Sequence, residues 1–518
     1  MHTFDRRQFL AYSALAVAAV GLAACTPGRG ASFIGQNDPA IAQAEARRRG
    51  TGQTVTRTLT AQPLTLDLSG KAVQTWGYQG ASATEPVRGV AGDLLQVKLR
   101  NDLPEATTIH WHGLALRSDM DGVPHLTQQP IAPGATHMYE FTLPHPGTHW
   151  FHPHAGTQLD RAQYAPLIVE DPQEEGAYDR EWIIVLDDWL DGVTATPDEV
   201  LAELTEGMGG MDHGTMGGDG MGGMEHGDSD TGAGGPMRMG NMLMGATSDL
   251  LGGDAGDVYY PLFLVNGRPA TDPETFRANP GERIRLRILN AGGDTAFRFG
   301  ITDHMLTVTH TDGYPVAPVE AESIVLGMGE RYDAIVTAGE GAFAVIAEAL
   351  GKGDQALAIL RTGQGAAAPA APVTPSWSRG PVTAADLTAA EEVALKKRPV
   401  NRTIALELTG SMMGYDWGIN GKRMDMSDPM RDAYGITEGE RIALEFTNST
   451  TMWHPMHLHG HTYQHVGGGP RKDTSIVLPG ETLRVEFDAD NPGRWLTHCH
   501  NLYHGEAGMM ATLAYQTN

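Results

Sequence analysis

Cysteine is almost absent: the 518 residues contain two, Cys25 and Cys499. They lie far apart and each has its own explanation below, which excludes a disulfide-stapled fold. Positive charge is also scarce. The 37 Lys and Arg against 63 Asp and Glu leave a formal charge of −26. That balance argues against a nucleic-acid-binding surface and suits a soluble acidic protein that attracts cations. Patterns of long amphipathic helices are few, and no second membrane segment follows the apolar run near the N-terminus. The chain is too long for one ordinary core, so roughly two to four domains are expected.

The first residues read as an address. Arg6-Arg7, then Gln8-Phe9-Leu10 and an uncharged apolar run to Ala24, resemble a twin-arginine export signal, with Asp5 where that signal usually has Ser or Thr. Leu22-Ala23-Ala24-Cys25 resembles a lipobox, in which Cys25 is lipidated after cleavage. The run is short for a membrane span. The expectation is a signal over residues 1–25, a periplasmic or cell-surface location and membrane anchoring through Cys25. A plain signal peptide or an uncleaved anchor is the blander alternative. Residues 26–50, rich in Gly, Ala, Gln and Arg, are expected to be a tether.

What is abundant is repetition. Gly92 to Asn101, Gly281 to Asn290 and Gly439 to Asn448 each run Gly, acid, an alternating apolar–polar stretch, then Asn at the same distance. Such alternation is a half-buried strand, and three copies indicate three related β-domains. The first and third copies agree further. Asn101 precedes His110 and His112 by the steps that separate Asn448 from His457 and His459. Gly147 precedes His152 and His154 as Gly493 precedes His498 and His500. The middle copy has Phe299 and Ile301 where the first histidine pair should stand, so it is a domain of the same kind without ligands. Short strands with Gly and Pro turns imply β-sandwiches.

His110-Trp-His112, His152-Pro-His154, His457-Leu-His459 and His498-Cys-His500 are four His-x-His units. Residues two apart on a strand share a face, so each unit aims two imidazoles at one place. One such unit alone is usually a surface pair. Four, paired by an internal repeat, predict eight histidines converging on metal where two domains face each other. Cys499 points to the opposite face from His498 and His500 and so would serve a different metal. With His454 upstream and His504 and Met509 downstream, it completes the donor set of a blue-copper electron-transfer site.

These motifs resemble the multicopper oxidase family, which includes laccases and bacterial copper-resistance oxidases. The resemblance runs from about residue 51 to the end and rests on His110 to Gly113, His152 to His154, His454 to His459, and His498 through Met509. It implies an all-β chain of three cupredoxin-like Greek-key β-sandwich domains: residues 51–173, residues 181–364 without copper ligands, and residues 400–518. It implies four copper ions. His454, Cys499 and His504, with Met509 axial, would hold the type 1 copper. His110 and His457 would hold type 2. His112, His152 and His500 would hold one type 3 copper, and His154, His459 and His498 the other. Substrate electrons would enter at Cys499, and dioxygen would be reduced to water at the trinuclear cluster. Asp121 matches the family's carboxylate near type 2 copper. Glu506 is a second candidate proton donor, one position later than in copper-efflux relatives, where this chain has Gly505.

Residues 207–245 hold nine of the 23 methionines among Gly, His and Asp. They are expected to be a mobile loop at the start of the second domain. Thioethers are soft ligands that select Cu(I), so Met208, Met211, His213, Met216, Met221, Met224 and His226 are candidate Cu(I) contacts; an incidental Met-rich linker is the alternative. Met452 matches a Cu(I)-contacting methionine of copper-efflux relatives, whereas Thr450 stands where they have a carboxylate. The resemblance therefore implies a cuprous oxidase, or a laccase acting on phenols or aromatic amines. A non-enzymatic copper-sequestering lipoprotein fits the complete ligand set less well.

Overall fold

The three repeated segments become three equivalent strands, Leu94–Asn101, Arg283–Asn290 and Arg441–Asn448. Each pairs in parallel with the first strand of its own unit: Thr54–Leu68, Arg180–Trp189 and Arg402–Thr409. On its other side each pairs antiparallel, with Thr136–Thr142, Arg331–Thr337 and Thr482–Asp488. The computed structural model in which this is seen describes residues 32–174, 178–206, 236–363 and 367–517.

The asparagine closing each repeat has a physical task. Its side-chain amide donates to two carbonyls of the loops beyond the strand: Asn101 to Glu105 and Ile131, Asn290 to Thr295 and Leu326, Asn448 to Met452 and Val477, all at 2.7–3.1 Å. All three asparagines are buried, where a backbone carbonyl without a donor would cost stability. In the first and third units the pinned loop leads directly into the strand carrying a histidine pair.

Each repeated strand belongs to a sheet that faces a second one. In the first unit the four-stranded sheet containing Thr54–Leu68 lies against Val87–Val90, Ala165–Glu170, Gly147–His152 and His110–His112. Leu95, Val97, Leu99, Tyr139 and Phe141 from one sheet pack with Trp111, Phe151, Leu167 and Val169 from the other. The middle unit has seven- and five-stranded sheets, the last unit six- and five-stranded sheets. Their cores merge into one cluster running from Ile184 and Phe297 to Trp495 and Leu513, which fixes the middle unit against the last. Among the described residues no helix is long and apolar enough to cross a membrane.

Two expectations are corrected. Residues 32–50 are not a free tether. Ile34 N–H donates to the Tyr515 carbonyl and Thr517 N–H to that of Ser32, while helix Pro39–Ala46 sends Glu45 to accept from Thr142 N–H at 2.7 Å. Burial of Ile34 and Ile41 holds this arm across the last and first units. The second correction concerns the end of the Met-rich segment. Met237–Met239 and Met242–Met244 form a hairpin. Leu243 N–H donates to the Asp257 carbonyl, and Met242 and Leu243 are buried, so this stretch is anchored rather than loose. The signal residues, Cys25, Met208, Met211, His213, Met216, Met221, Met224 and His226 lie outside the described residues.

Candidate metal centre

In the first unit the two histidine strands are adjacent, with His110 opposite His152. In the last unit His457 is opposite His498. The two pairs meet across the interface. His110 Nε2 lies 3.4 Å from His457 Nε2 across it, and within the last unit His459 Nε2 lies 3.1 Å from His498 Nε2. His154, His459 and His498 bring one donor atom each within 4.8 Å of one another, as do His110, His112 and His152, and His110, His457 and His459. The His500 ring is 4.9 Å from that of His112 and 5.3 Å from that of His152, centre to centre. All eight expected imidazoles therefore share one cavity.

Six of the eight have their outer nitrogen engaged. His110 Nδ1 donates to the Asp121 carbonyl, His457 Nδ1 to the Asp473 carbonyl, His152 Nδ1 to that of Pro153 and His498 Nδ1 to that of Cys499, at 2.8–3.0 Å. His459 Nδ1 donates to Asp121 Oδ2 at 2.9 Å. His112 is turned the other way, with Nε2 bound to Asp473 Oδ1 at 3.0 Å. Fixing the outer nitrogen leaves the inner one as a lone pair. Buried nitrogens without a hydrogen-bond partner include His112 Nδ1, His152 Nε2, His154 Nε2 and both of His500. Burial, reinforced by neighbouring imidazoles, holds His112, His152, His154, His459, His498 and His500 well below the ordinary histidine range. Neutral imidazoles aimed at one another with no proton between them fit cations. The approach is close enough that Gly329 of the middle unit, at φ +83°, has no room for a side chain: a Cβ there would sit 3.0 Å from both His112 and His500.

Cys499 does point the other way, toward the second site. Its Sγ lies 3.6 Å from His454 Nδ1 and 3.8 Å from His504 Nδ1, and those two nitrogens are 3.1 Å apart. His454 Nε2 donates to Thr450 Oγ1 at 2.8 Å and His504 Nε2 to Asp257 Oδ2 at 3.1 Å. Both Nδ1 lone pairs thus face the sulfur. Burial pushes the Cys499 thiol far up, so a thiolate here needs an adjacent cation. Met509 is fully buried, and its carbonyl accepts from Cys499 N–H at 3.0 Å. Trp417 covers His504 at 4.3 Å between ring centres.

Three functional groups carry little sequence signal. Asp257 reaches His504 from the middle unit, 247 residues away. Asp473 holds His112 and His457, and its carboxylate forms two 2.7 Å bonds to Arg331 of the middle unit. No spacing rule ties these three residues to the histidine motifs. Of the two expected acids, Asp121 sits 2.9 Å from His459 Nδ1 and 3.2 Å from His110 Nδ1. Glu506, on helix Leu502–Ala507, lines a cavity of about 20 Å³ with His152, His154, His498 and His500, large enough for about one water. Met452 is buried in the core, and His454, Cys499 and His504 are buried too.

Comparison with known proteins agrees with this geometry. Three multicopper oxidase family models match residues 60–174, 180–365 and 397–518. The chain belongs to the multicopper oxidases, copper-dependent oxidoreductases with dioxygen as acceptor. It is 42 % identical over 520 residues to multicopper oxidase MmcO of Mycobacterium tuberculosis, covering 99 % of this chain and 97 % of that one. It is 28 % identical to copper resistance protein A of Escherichia coli, over 87 % and 91 % of the two chains. The laccase of Botrytis aclada has the same fold at a TM-score of 0.71, with 24 % identity over 94 % of this chain and 93 % of that one. The cupredoxin-like, all-β reading of the sequence therefore stands.

Proposed function

We propose that the chain is a cuprous oxidase: His454, Cys499, His504 and Met509 would hold a type 1 copper able to take single electrons from Cu(I), and three further coppers would supply the four-electron reduction of dioxygen to water. In this reading His110 and His457 hold type 2 copper; His112, His152 and His500 hold one type 3 copper, and His154, His459 and His498 the other. Copper supplies the redox chemistry at both places. The chain's part is to orient neutral donors, exclude water and link the sites: Cys499 is bonded directly to His498 and His500, a path one residue long.

The observation that carries the substrate assignment is the hairpin Met237–Met244. It is hydrogen-bonded to Asp257, whose carboxylate orients His504. A thioether-rich segment thereby ends beside the site where electrons enter, and soft sulfur donors favour Cu(I). Deleting residues 207–235 while keeping this hairpin is expected to lower kcat/KM for Cu(I) several-fold more than for a small phenol, measured by dioxygen uptake. Equal losses would remove the segment from substrate delivery. The laccase reading is favoured by Thr450 in place of a carboxylate; phenol turnover exceeding Cu(I) turnover in the intact enzyme would establish it.

Glu506 is proposed to hold a proton for dioxygen reduction. Burial, with a smaller contribution from Asp198, raises it to about 7. Below that pH it is a proton donor; above it the carboxylate has already lost its proton. With either substrate the turnover rate should fall as pH rises through about 7, and Glu506→Gln should be slow on both sides with that limb gone. An unchanged profile in Glu506→Gln would assign the proton to another group, Asp121 first. We further propose export by the twin-arginine-like signal and anchoring at the periplasmic or cell surface through lipidated Cys25. Fractionation of cells carrying Cys25→Ser checks this: continued membrane association would rule the anchor out.

A further inference from the structure

His454 and Cys499 stand on paired strands of one sheet, where Met456 lies opposite Cys499. His504 does not. It sits on helix Leu502–Ala507, which also carries Glu506 and is six residues long. A helix that short does not hold its own place in water, so contacts from outside must fix it. The bonds that do so come from the other two units.

From the first unit, Asp160 Oδ2 accepts from the Tyr503 hydroxyl at 2.6 Å. The same oxygen accepts from the Tyr260 hydroxyl of the middle unit at 3.0 Å. One buried carboxylate thus ties a tyrosine from each of the other units. Asp160 ends the short 3-10 helix Gly156–Leu159, which follows His154 in the chain. Leu159 of that helix lines the small cavity with Glu506. From the middle unit, Asp294 Oδ1 accepts from Asn501 Nδ2 at 2.6 Å, while Asn501 Oδ1 accepts from the N–H groups of Tyr503 and His504. Leu502 N–H donates to the Gly293 carbonyl at 2.9 Å. Asp294 pairs with Lys352 at 2.7 Å and accepts from Val258 N–H at 3.1 Å, next in the chain to the Asp257 that holds His504 Nε2. The junction is tight: a Cβ on Gly293 would lie 2.7 Å from the Tyr260 hydroxyl and 3.1 Å from Asp160.

We propose that Asp160 is a positioning residue for the centre at Cys499. Through the Tyr503 hydroxyl it sets where His504 stands relative to the sulfur. The properties of a centre whose ligands all belong to the last unit then depend on a carboxylate of the first. Partners beyond the ligands orient them and tune the metal they hold. The inference rests on the type 1 assignment of His454, Cys499 and His504.

The test compares copper-loaded, full-length wild type with Tyr503→Phe, Asp160→Ala, Asp160→Asn and Tyr260→Phe. The readouts are the blue band, the electron-exchange equilibrium between its copper and a redox mediator, and thermal unfolding. Tyr503→Phe keeps the ring and removes only the hydroxyl. It should move the band and shift the exchange equilibrium about fivefold, the bias of one buried hydrogen bond. Asp160→Ala should move both in the same direction, and combining it with Tyr503→Phe should add nothing further. Asp160→Asn keeps an acceptor oxygen and should restore wild-type values. Tyr260→Phe loses a bond to the same oxygen but none to the helix, so it should unfold at a lower temperature with band and equilibrium unchanged. A purely structural junction would lower the unfolding temperature in every variant and leave the copper's properties alone. Wild-type band and equilibrium in Tyr503→Phe would therefore overturn the proposal, even where Asp160→Ala does not fold. A wild type without a blue band would refute the type 1 assignment, and the proposal with it.

Discussion

Replacing Cys499 with serine is expected to abolish the intense visible absorption of the copper-loaded protein and to lower dioxygen consumption at least about a thousandfold, a barrier increase of about 4 kcal/mol. The reason lies in where the sulfur sits. It faces the Nδ1 atoms of His454 and His504, at 3.6 and 3.8 Å. It is also covalently joined to a histidine on each side that faces the other cavity. A serine hydroxyl fits the same space but does not ionise beside a copper ion as a thiol does, so both the colour and the electron path depend on the sulfur. The fold should survive, because Cys499 lies in a strand whose register is set by Met456 opposite and Ala511 diagonally across. Retention of the blue band in Cys499→Ser would place the type 1 copper elsewhere.

The second large effect is expected at Asp473. Its carboxylate makes paired 2.7 Å bonds to Arg331, and both side chains are fully buried. It also accepts from His112 Nε2, and its carbonyl from His457 Nδ1. Asp473→Ala removes the bidentate partner of a buried guanidinium, leaving it Asp312 at 3.6 Å, and is expected to cost up to about 3–5 kcal/mol. It also removes the carboxylate that fixes the His112 tautomer, while His457 keeps its backbone acceptor, so copper at the cluster should be bound more weakly as stability falls. Asp473→Asn keeps the shape and should be milder in denaturant unfolding while still losing copper. The pH dependence has a definite sign. Burial raises Asp473, but the Arg331 charge and its hydrogen bonds outweigh burial and hold it well below the usual carboxylate range. Its folded-state depression therefore stabilises the protein above the ordinary carboxylate range, and that stability is lost as acid protonates the group below about pH 4. Wild-type stability and copper content in Asp473→Ala would show that Arg331 and His112 are held by other groups.

How far the sequence reaches is set by periodicity. The Gly-to-Asn repeat fixes the equivalent strands because alternation, turn and closing amide are all local. Histidines two apart declare a shared face for the same reason, and Cys499 between two of them declares the opposite one. Asp257, Asp473 and Arg331 are invisible because they act across unit boundaries, where chain separation carries no period. The arm over residues 32–50 reads as a tether because its composition is polar. Two isoleucines and backbone pairing with Tyr515 and Thr517 outweigh that composition.

Metal analysis of the fully loaded wild type beside Cys499→Ser tests the central claim most directly. With one sulfur-ligated ion and three among eight histidines, the wild type should carry four coppers per chain, and the serine variant should lose one together with its colour. Zinc in place of copper, or fewer than about three coppers in the wild type, would contradict the account.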